Sequence, residues 1–454
     1  MAIKKLTKTK VDLLIGTGGS VLQKLIGYLI LMLLTRHIAK DQVGDYFLAV
    51  AISLIVQMVC DLGSNRQLIR SVAGRLGTGN ADDDPHHSPQ QQRDIADANQ
   101  RELSAVVSLR LTLSAIAFLL INAFMAGIRP DMIEVMLLTS FYTLAIGVFY
   151  AFGGYLIAHR RMVARFATEL AGQVMMLGVI LGVVFLDGGL RELLIGYVFA
   201  NLVTVATAYA LVRKTHGRIG LTLSRRNLTA IAMLGLPIFA MDIVQLVQFK
   251  LDTIMLGFIP TATGRPPSVE VANYESAYKL FEASRFIARP ILQVFLPIAA
   301  GLAAAGLWLK LRGKVNTLLG LATLGGLVIA VPVVLFAEHI IPAVYGPDYD
   351  DAIPIARILF WCTPILFINF VAMFLANAMR IERPVLRVML VGLAVNAAVN
   401  AVVIPKYGAI GAASATLASE SCVAVILTAV VYRHITKQAR AERDAQNLAQ
   451  STEP

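Results

Sequence analysis

The sequence predicts an all-α integral membrane protein of about twelve transmembrane helices arranged as two six-helix lobes. Its 454 residues are 57% hydrophobic and 15% charged, with a mean hydropathy of +0.69, which is too apolar for a soluble globular chain. The apolar residues gather in runs of about 20, the length a helix needs to cross a bilayer, and not in the weak alternating segments of an outer-membrane barrel. Lysine and arginine, finally, concentrate in alternate connections between those runs, as the positive-inside rule requires of a multi-pass protein.

The positively charged start, MAIKKLTKTKVDLLIGTGGS, opens like a signal peptide, but its apolar run continues through Leu34 without a cleavage site. It reads as a first transmembrane helix over residues 11–35. Further spans follow at 44–61, 104–126, 132–157, 164–186, 192–212, 229–259, 272–303, 316–337, 353–378, 384–404 and 409–432. With a cytoplasmic N-terminus, the inside segments carry about 27 Lys and Arg residues against about six outside. An even span number and two cytoplasmic termini therefore fit together. Helical spans of this kind belong to a bacterial cytoplasmic (inner) membrane.

Between the second and third spans, the polar tract GTGNADDDPHHSPQQQRDIADANQR, residues 77–101, lacks hydrophobic periodicity and reads as a mobile cytoplasmic loop. Its His86 and His87 stand beside three aspartates, but solvated loop is the preferred reading over a metal site. The basic connection RKTHGRIGLTLSRRN separates six spans from six. The expected organisation is an N-terminal lobe 1–213, a cytoplasmic linker 214–226, a C-terminal lobe 227–434 and a cytoplasmic tail 435–454. A short internal repeat supports two halves: Val43, Tyr46 and Ala49 in QVGDYFLAV match Val271, Tyr274 and Ala277 in EVANYESAY. Because each half holds an even number of spans, such copies are related by an axis along the membrane normal. The net charge of +11 sits in short clusters between apolar runs, which fits membrane orientation and speaks against nucleic acid. Cys60, Cys362 and Cys422 show no metal or CxxC spacing and read as packing residues.

The candidate functional residues lie in the opening hairpin of the second half, MDIVQLVQFKLDTIMLGFIP and VANYESAYKLFEASRFIARP. Ionisable groups cost roughly 2.5 to 3.5 kcal/mol each at membrane depth, so they persist where they meet water, a partner charge or a ligand. On the eighth span Glu275, Tyr278, Lys279, Glu282, Arg285 and Arg289 fall on one stripe; on the seventh, Gln245, Gln248 and Asp252 cluster, with Asp242 at the edge and Lys250 elsewhere. The first span aligns Thr17, Ser20, Lys24 and Tyr28, and the second aligns Tyr46, Ser53, Gln57, Asp61 and Ser64. Two readings stand side by side. Lys24, Lys250, Lys279, Arg285 and Arg289 line a hydrated cavity and hold an anionic head group, with Lys279, Arg285 and Arg289 facing Lys24; or the cations neutralise neighbouring acids such as Glu282. Asp61, Asp242, Asp252, Glu275 and Glu282 are the cavity or coupling acids, whereas Glu169 and Glu420 read as packed, hydrogen-bonded groups. No metal and no resident cofactor is expected, but coupling to a proton or sodium ion is open. Asp348, Asp350 and Asp351 in YGPDYDD resemble a DxD run, yet nothing nearby supplies a nucleotide-sugar site, and an enzyme is not expected.

At these residues the chain resembles the polysaccharide-transport, or lipid-linked oligosaccharide flippase, family of the multidrug/oligosaccharidyl-lipid/polysaccharide exporter superfamily. The resemblance rests on VGDYFLAVAISLIVQMVCDLGSNRQLIRSVA, on KLDTIMLGF with NYESAYKL, and on VYGPDYDDAIPIARIL, FLANAMRIERP and VNAAVNAVVIPKYGAIGAASATLASE. In the last, Pro405 ends one helix, Gly408 permits a tight outside turn, and Gly411, Ala412, Ala413 and Ser414 let the next helix pack closely, a structural reading. The resemblance implies a V-shaped, MATE-like fold opening alternately to either side. It also implies transport of undecaprenyl-pyrophosphate-linked repeat units to the outer leaflet for O-antigen, capsule or exopolysaccharide, alongside polymerase and chain-length machinery. A cation-coupled small-molecule or multidrug exporter of the same superfamily is the alternative, against which stands the lack of a mid-span carboxylate in the first helix.

Overall fold

In the computed structural model, residues 2–77, 88–217, 219–221, 225–379 and 381–451 are described. They form helices α1 (Ala2–His37), α2 (Lys40–Asp61), α3 (Ser64–Leu76), α4 (Pro89–Ile128), α5 (Ile133–Ala158), α6 (Met162–Phe185), α7 (Leu190–His216), α8 (Arg225–Phe258), α9 (Pro267–Ala304), α10 (Trp308–Tyr345), α11 (Ala352–Ala378) and α12 (Glu382–Ser451), with short 3₁₀ turns at Pro130–Met132 and Pro347–Tyr349. Among the described residues there is no strand. A helix stands at each of the twelve expected spans, because α12 is two helical arms broken at Gly408 (φ 55°, ψ −132°). Among the described residues, eight helical stretches are long and apolar enough to cross a membrane. The charge-bearing α8 and α9 are not among those eight, and α12 counts there once.

Packing divides the chain into two compact units, Met1–Ile243 and Val244–Pro454. The first half of α8 therefore packs with the first unit and its second half with the second. In the first unit α5 is the hub, touching α2, α3, α4 and α7. Its Phe149, Phe152, Tyr155 and Leu156 are buried with Leu68 and Val72 of α3, Leu103 and Val106 of α4, and Ala208 and Val212 of α7. A helix apolar all round belongs at such a centre. In the second unit α11 plays that part against α9, α10 and α12. Outward-facing apolar side chains, such as Leu119 (68% exposed) and Val328 (64%), are those that lipid would cover.

The corner between α2 and α3 is set by backbone chemistry. Leu62 and Gly63 both take left-handed conformations (φ 47° and 72°), and the carboxylate of Asp61 accepts from Ser64 Oγ (2.9 Å) and the Asn65 amide (3.1 Å), capping α3. A Cβ on Gly235 of α8 would lie 2.1 Å from the Leu62 carbonyl oxygen, so only glycine lets α8 pass this corner.

The tract 77–101 is corrected in part. Residues 78–87, with His86 and His87, lie outside the described residues, but from Pro89 the chain is already the N-terminal end of α4. Ser88 and Gln91 make a reciprocal capping box (Gln91 N to Ser88 Oγ 3.2 Å, Ser88 N to Gln91 Oε1 2.9 Å), with proline at the first helical position. Arg75 of α3 then donates to Asn99 Oδ1 (2.9 Å) and Glu102 Oε2 (2.5 Å) of α4, pinning the two helices together. In the expected linker, α7 runs to His216 and α8 begins at Arg225. The tail continues as helix to Ser451.

Candidate functional site

Charge in an apolar helix needs partners, and the second unit collects them around Asp252 of α8, which is 2% exposed. Tyr274 of α9 donates its hydroxyl to Asp252 Oδ2 (2.5 Å) and Thr416 of α12 donates to the same oxygen (2.5 Å). Asn400 Nδ2 donates to Oδ1 (2.5 Å) and to Asn396 Oδ1 one turn earlier (3.0 Å). Asn396 and Asn400 are both buried, and Oδ1 of Asn400 has no hydrogen-bond partner among the described residues. No cation pairs with Asp252 among the described residues. The result is a buried carboxylate ringed by neutral side chains, each offering an oxygen, a donor set suited to a proton or a hard cation.

Next to it on α9, Glu275 faces another way. It is 1% exposed, and its Oε1 accepts from Lys250 Nζ (2.8 Å) and Thr253 Oγ1 (2.5 Å). Lys250 also stands 5.8 Å over the Tyr278 ring. Tyr274 and Glu275, about 100° apart on one helix, thus serve two separate clusters on α8. Farther along, Asn369 of α11 donates to Glu420 Oε2 (2.7 Å) and Gln248 to Glu420 Oε1 (3.4 Å). On the stripe of α9, Lys279 pairs with Glu282 at 3.1 Å.

The first unit holds its own buried charge. Arg110 of α4, 3% exposed, donates to Asp61, to the Gly147 carbonyl of α5 and to Ser64 Oγ (3.3 Å). Arg66 of α3 pairs with Asp242 of α8 at 2.9 Å. These arginines join the α2–α3 corner to α4, α5 and α8.

The profile of the family described as "Polysaccharide biosynthesis protein" matches residues 12–302. The chain belongs to the polysaccharide biosynthesis protein family. Among solved structures it is similar to the inward-facing conformation of a multidrug resistance MATE family transporter of the MOP superfamily, at TM-score 0.72 and 13% identity, covering 92% of this chain and 96% of that one. It is similar to the same degree, TM-score 0.72 and 13% identity, to the lipid II flippase MurJ in an inward closed conformation, covering 92% of this chain and 87% of that one. At such identity the likeness is one of fold. No curated protein matches in sequence. This member of the polysaccharide biosynthesis family is thus a multi-pass helical membrane protein with the fold of MOP-superfamily transporters.

Within that frame the expected site residues separate. Asp252 is joined by Tyr274, Asn396, Asn400 and Thr416, while Glu275 and Lys250 meet each other in a buried pair. Asp61 and Asp242 cap and clamp the α2–α3 corner through Arg110 and Arg66. Lys24 belongs to the first unit, half-buried on α1. Arg285 and Arg289 are carried by α9, but their side chains lie outside the described residues. Sequence reasoning missed Arg110, although a lone arginine inside the run VVSLRLTLS carries the same signal as the charges of α8. It also read the VNAAVN segment as packing alone, where the four-residue spacing of Asn396 and Asn400 marks one polar face.

Proposed function

We propose that this family member flips an undecaprenyl-pyrophosphate-linked oligosaccharide repeat unit from the cytoplasmic to the outer leaflet of a bacterial inner membrane, for surface polysaccharide assembly. The observation that carries the reading is the family match over residues 12–302, in a chain with the fold of membrane transporters. Transport proceeds by alternating access. Lys24, Lys279, Arg285 and Arg289 are the cations proposed to meet the pyrophosphate, for which guanidinium forks are suited. Lys250, committed to Glu275 at 2.8 Å, is assigned to holding α8 against α9.

The same reading gives Asp252 the task of coupling. A carboxylate buried without a counter-cation among the described residues, in a shell of hydroxyl and amide oxygens, gains from a proton or a sodium ion by neutralising its charge. Loss of the ion returns the ring of hydrogen bonds to the carboxylate, which gives α8, α9 and α12 two electrostatic states.

Deletion of the gene tests the cargo. Lipid-linked repeat units are expected to accumulate on the cytoplasmic leaflet. Normal surface polysaccharide in a strain without a redundant transporter refutes the reading, and ion-driven drug efflux by the reconstituted protein replaces it with the multidrug exporter.

A further inference from the structure

The second arm of α12, from the break at Gly408 to Ser451, is longer than a bilayer crossing requires. Gly408 and Arg433 are 25 residues apart, about 37 Å along a helix, compared with a hydrocarbon core of about 30 Å and about 40 to 45 Å with head groups. With the turn at Gly408 taken at one membrane boundary, this length puts Arg433 at the head groups of the other, and Lys437 and Arg440 follow one and two turns later. One face of this extension is fixed to the start of α10. Val431, Ile435 and Ala439 are buried, Tyr432 donates to Asn316 Oδ1 (2.6 Å), the Leu309 amide donates to Glu442 Oε2 (2.9 Å), and Trp308 meets the His434 ring edge-on at 5.9 Å. Tryptophan at this level is what a membrane–water boundary favours.

The opposite face carries Arg433, Lys437 and Arg440 within about 60° of arc. All three are exposed, and none makes an ion pair among the described residues. They line an open groove of about 610 Å³ with Tyr432 and Thr436, and Asp444 closes its far end. Toward the membrane this groove shares Ala429 and Tyr432 with a second one of about 480 Å³, walled by Ile368 of α11 and by Ala424, Val425 and Thr428 of α12. Val425 is 71% exposed. A cationic shelf at head-group depth is thus continuous with an apolar channel at acyl-chain depth.

We infer that this surface is a binding site for an anionic phospholipid of the cytoplasmic leaflet. The phosphodiester lies on Arg433, Lys437 and Arg440, and an acyl chain lies along Val425 and Ile368. Charge selects the head group, since each lysine or arginine near a membrane surface adds to the attraction for anionic lipid and three together favour it by roughly a hundredfold. The docked, helical tail holds the three cations in a fixed register, so the site is built before lipid arrives.

Native mass spectrometry of the full-length protein in detergent, titrated with dioleoyl phosphatidylglycerol or dioleoyl phosphatidylcholine, tests this. The wild type is expected to retain phosphatidylglycerol at least tenfold more tightly than phosphatidylcholine. R433Q/K437Q/R440Q abolishes that preference, and V425W weakens both lipids. R101Q/R161Q/K214Q, which removes three exposed cations of the first unit, keeps it. The inference is overturned if the α12 triple variant keeps the preference, or if the control triple variant loses as much. It is equally overturned if millimolar inorganic phosphate displaces the lipid while V425W has no effect, since the shelf then serves a soluble anion. The unfolding midpoint of each variant without lipid is measured alongside, and all three are expected to match the wild type because the substituted side chains are exposed and the charged ones make no ion pair among the described residues.

Discussion

Replacing Asp252 by asparagine separates a coupling carboxylate from a structural one. The carboxylate accepts three hydrogen bonds of 2.5 Å, from Tyr274, Thr416 and Asn400. Bonds to a charged group contribute about 1.5 to 3 kcal/mol each, and burial of the charge costs several kcal/mol in return. The two sums nearly cancel, so an uncharged isostere should move stability by no more than about 2 kcal/mol. In Asp252→Asn the bond from Asn400 survives on Oδ1, and the two hydroxyls rotate to accept from the new amide. Asp252→Ala instead removes the shared acceptor and leaves a void beside it, so that Asn400 keeps only its bond to Asn396 (3.0 Å), Thr416 its bond to the Ala412 carbonyl (3.1 Å) and Tyr274 its contact with Thr416 (3.2 Å); with three bonds lost in a buried site, it should unfold more readily than Asp252→Asn. Ion binding is what asparagine removes: a sodium ion at ten times its dissociation constant stabilises the native state by about 1.4 kcal/mol. The assay is the unfolding midpoint against sodium at constant ionic strength, together with lipid-linked oligosaccharide flipping in proteoliposomes under an imposed sodium or proton gradient. Asp252→Asn should fold normally, lose the ion-dependent rise in midpoint and flip at the gradient-free rate. A variant that keeps both gradient dependence and ion stabilisation refutes the coupling role.

Three further outcomes follow from the geometry. Gly408→Ala should destabilise the protein by about 1 to 3 kcal/mol, seen as a lower thermal midpoint, because its Cβ would fall 2.6 Å from the Glu270 carboxylate in a backbone conformation that glycine favours. Arg110→Met should cost about 3 to 5 kcal/mol by leaving Asp61 without its cation, and Arg110→Met/Asp61→Asn should recover much of it in a double-mutant cycle; equal midpoints for single and double variants contradict the pairing. Arg285→Ala or Arg289→Ala should slow flipping in proteoliposomes more than Arg161→Ala, and equal mild effects favour internal ion pairing on α9 over contact with cargo.

The helices were legible because each span is an apolar run of bilayer length. The start of α4 was not, since residues 89–101 bury almost no apolar surface; the local signal was the capping sequence Ser88-Pro89-Gln90-Gln91, which hydrophobic periodicity does not register. Helical periodicity assigned Asp252 and Lys250 to different faces of α8, and the structure gives them different partners. It could not supply those partners. Asn400 lies 148 residues from Asp252 in sequence, and a polar face on one helix does not say which distant helix completes it. For the same reason Lys250 read as an available cation, although Glu275 was in view on the next span. In the motif at the break of α12, the structural reading of Gly408 was sound, and it hid the polar face of the same segment.

The break at Gly408 also acts as a ruler. Glu270 accepts from the Ala409 amide (2.8 Å) and from Thr263 (2.6 Å), and the Ala262 amide donates to the Pro405 carbonyl (2.8 Å), so the α8–α9 connection is tied to the turn of α12. Asn400 and Thr416 are each eight residues from the glycine, about 12 Å down their respective arms, and so reach Asp252 at one depth. Inserting a single residue in either arm would turn its side chain by about 100° and shift it by about 1.5 Å, taking one oxygen out of the ring while leaving every hydrophobic run intact. The spacing Asn-x7-Gly-x7-Thr is therefore a length constraint, by which a chain sharing this arrangement can be told from one that shares only the span count.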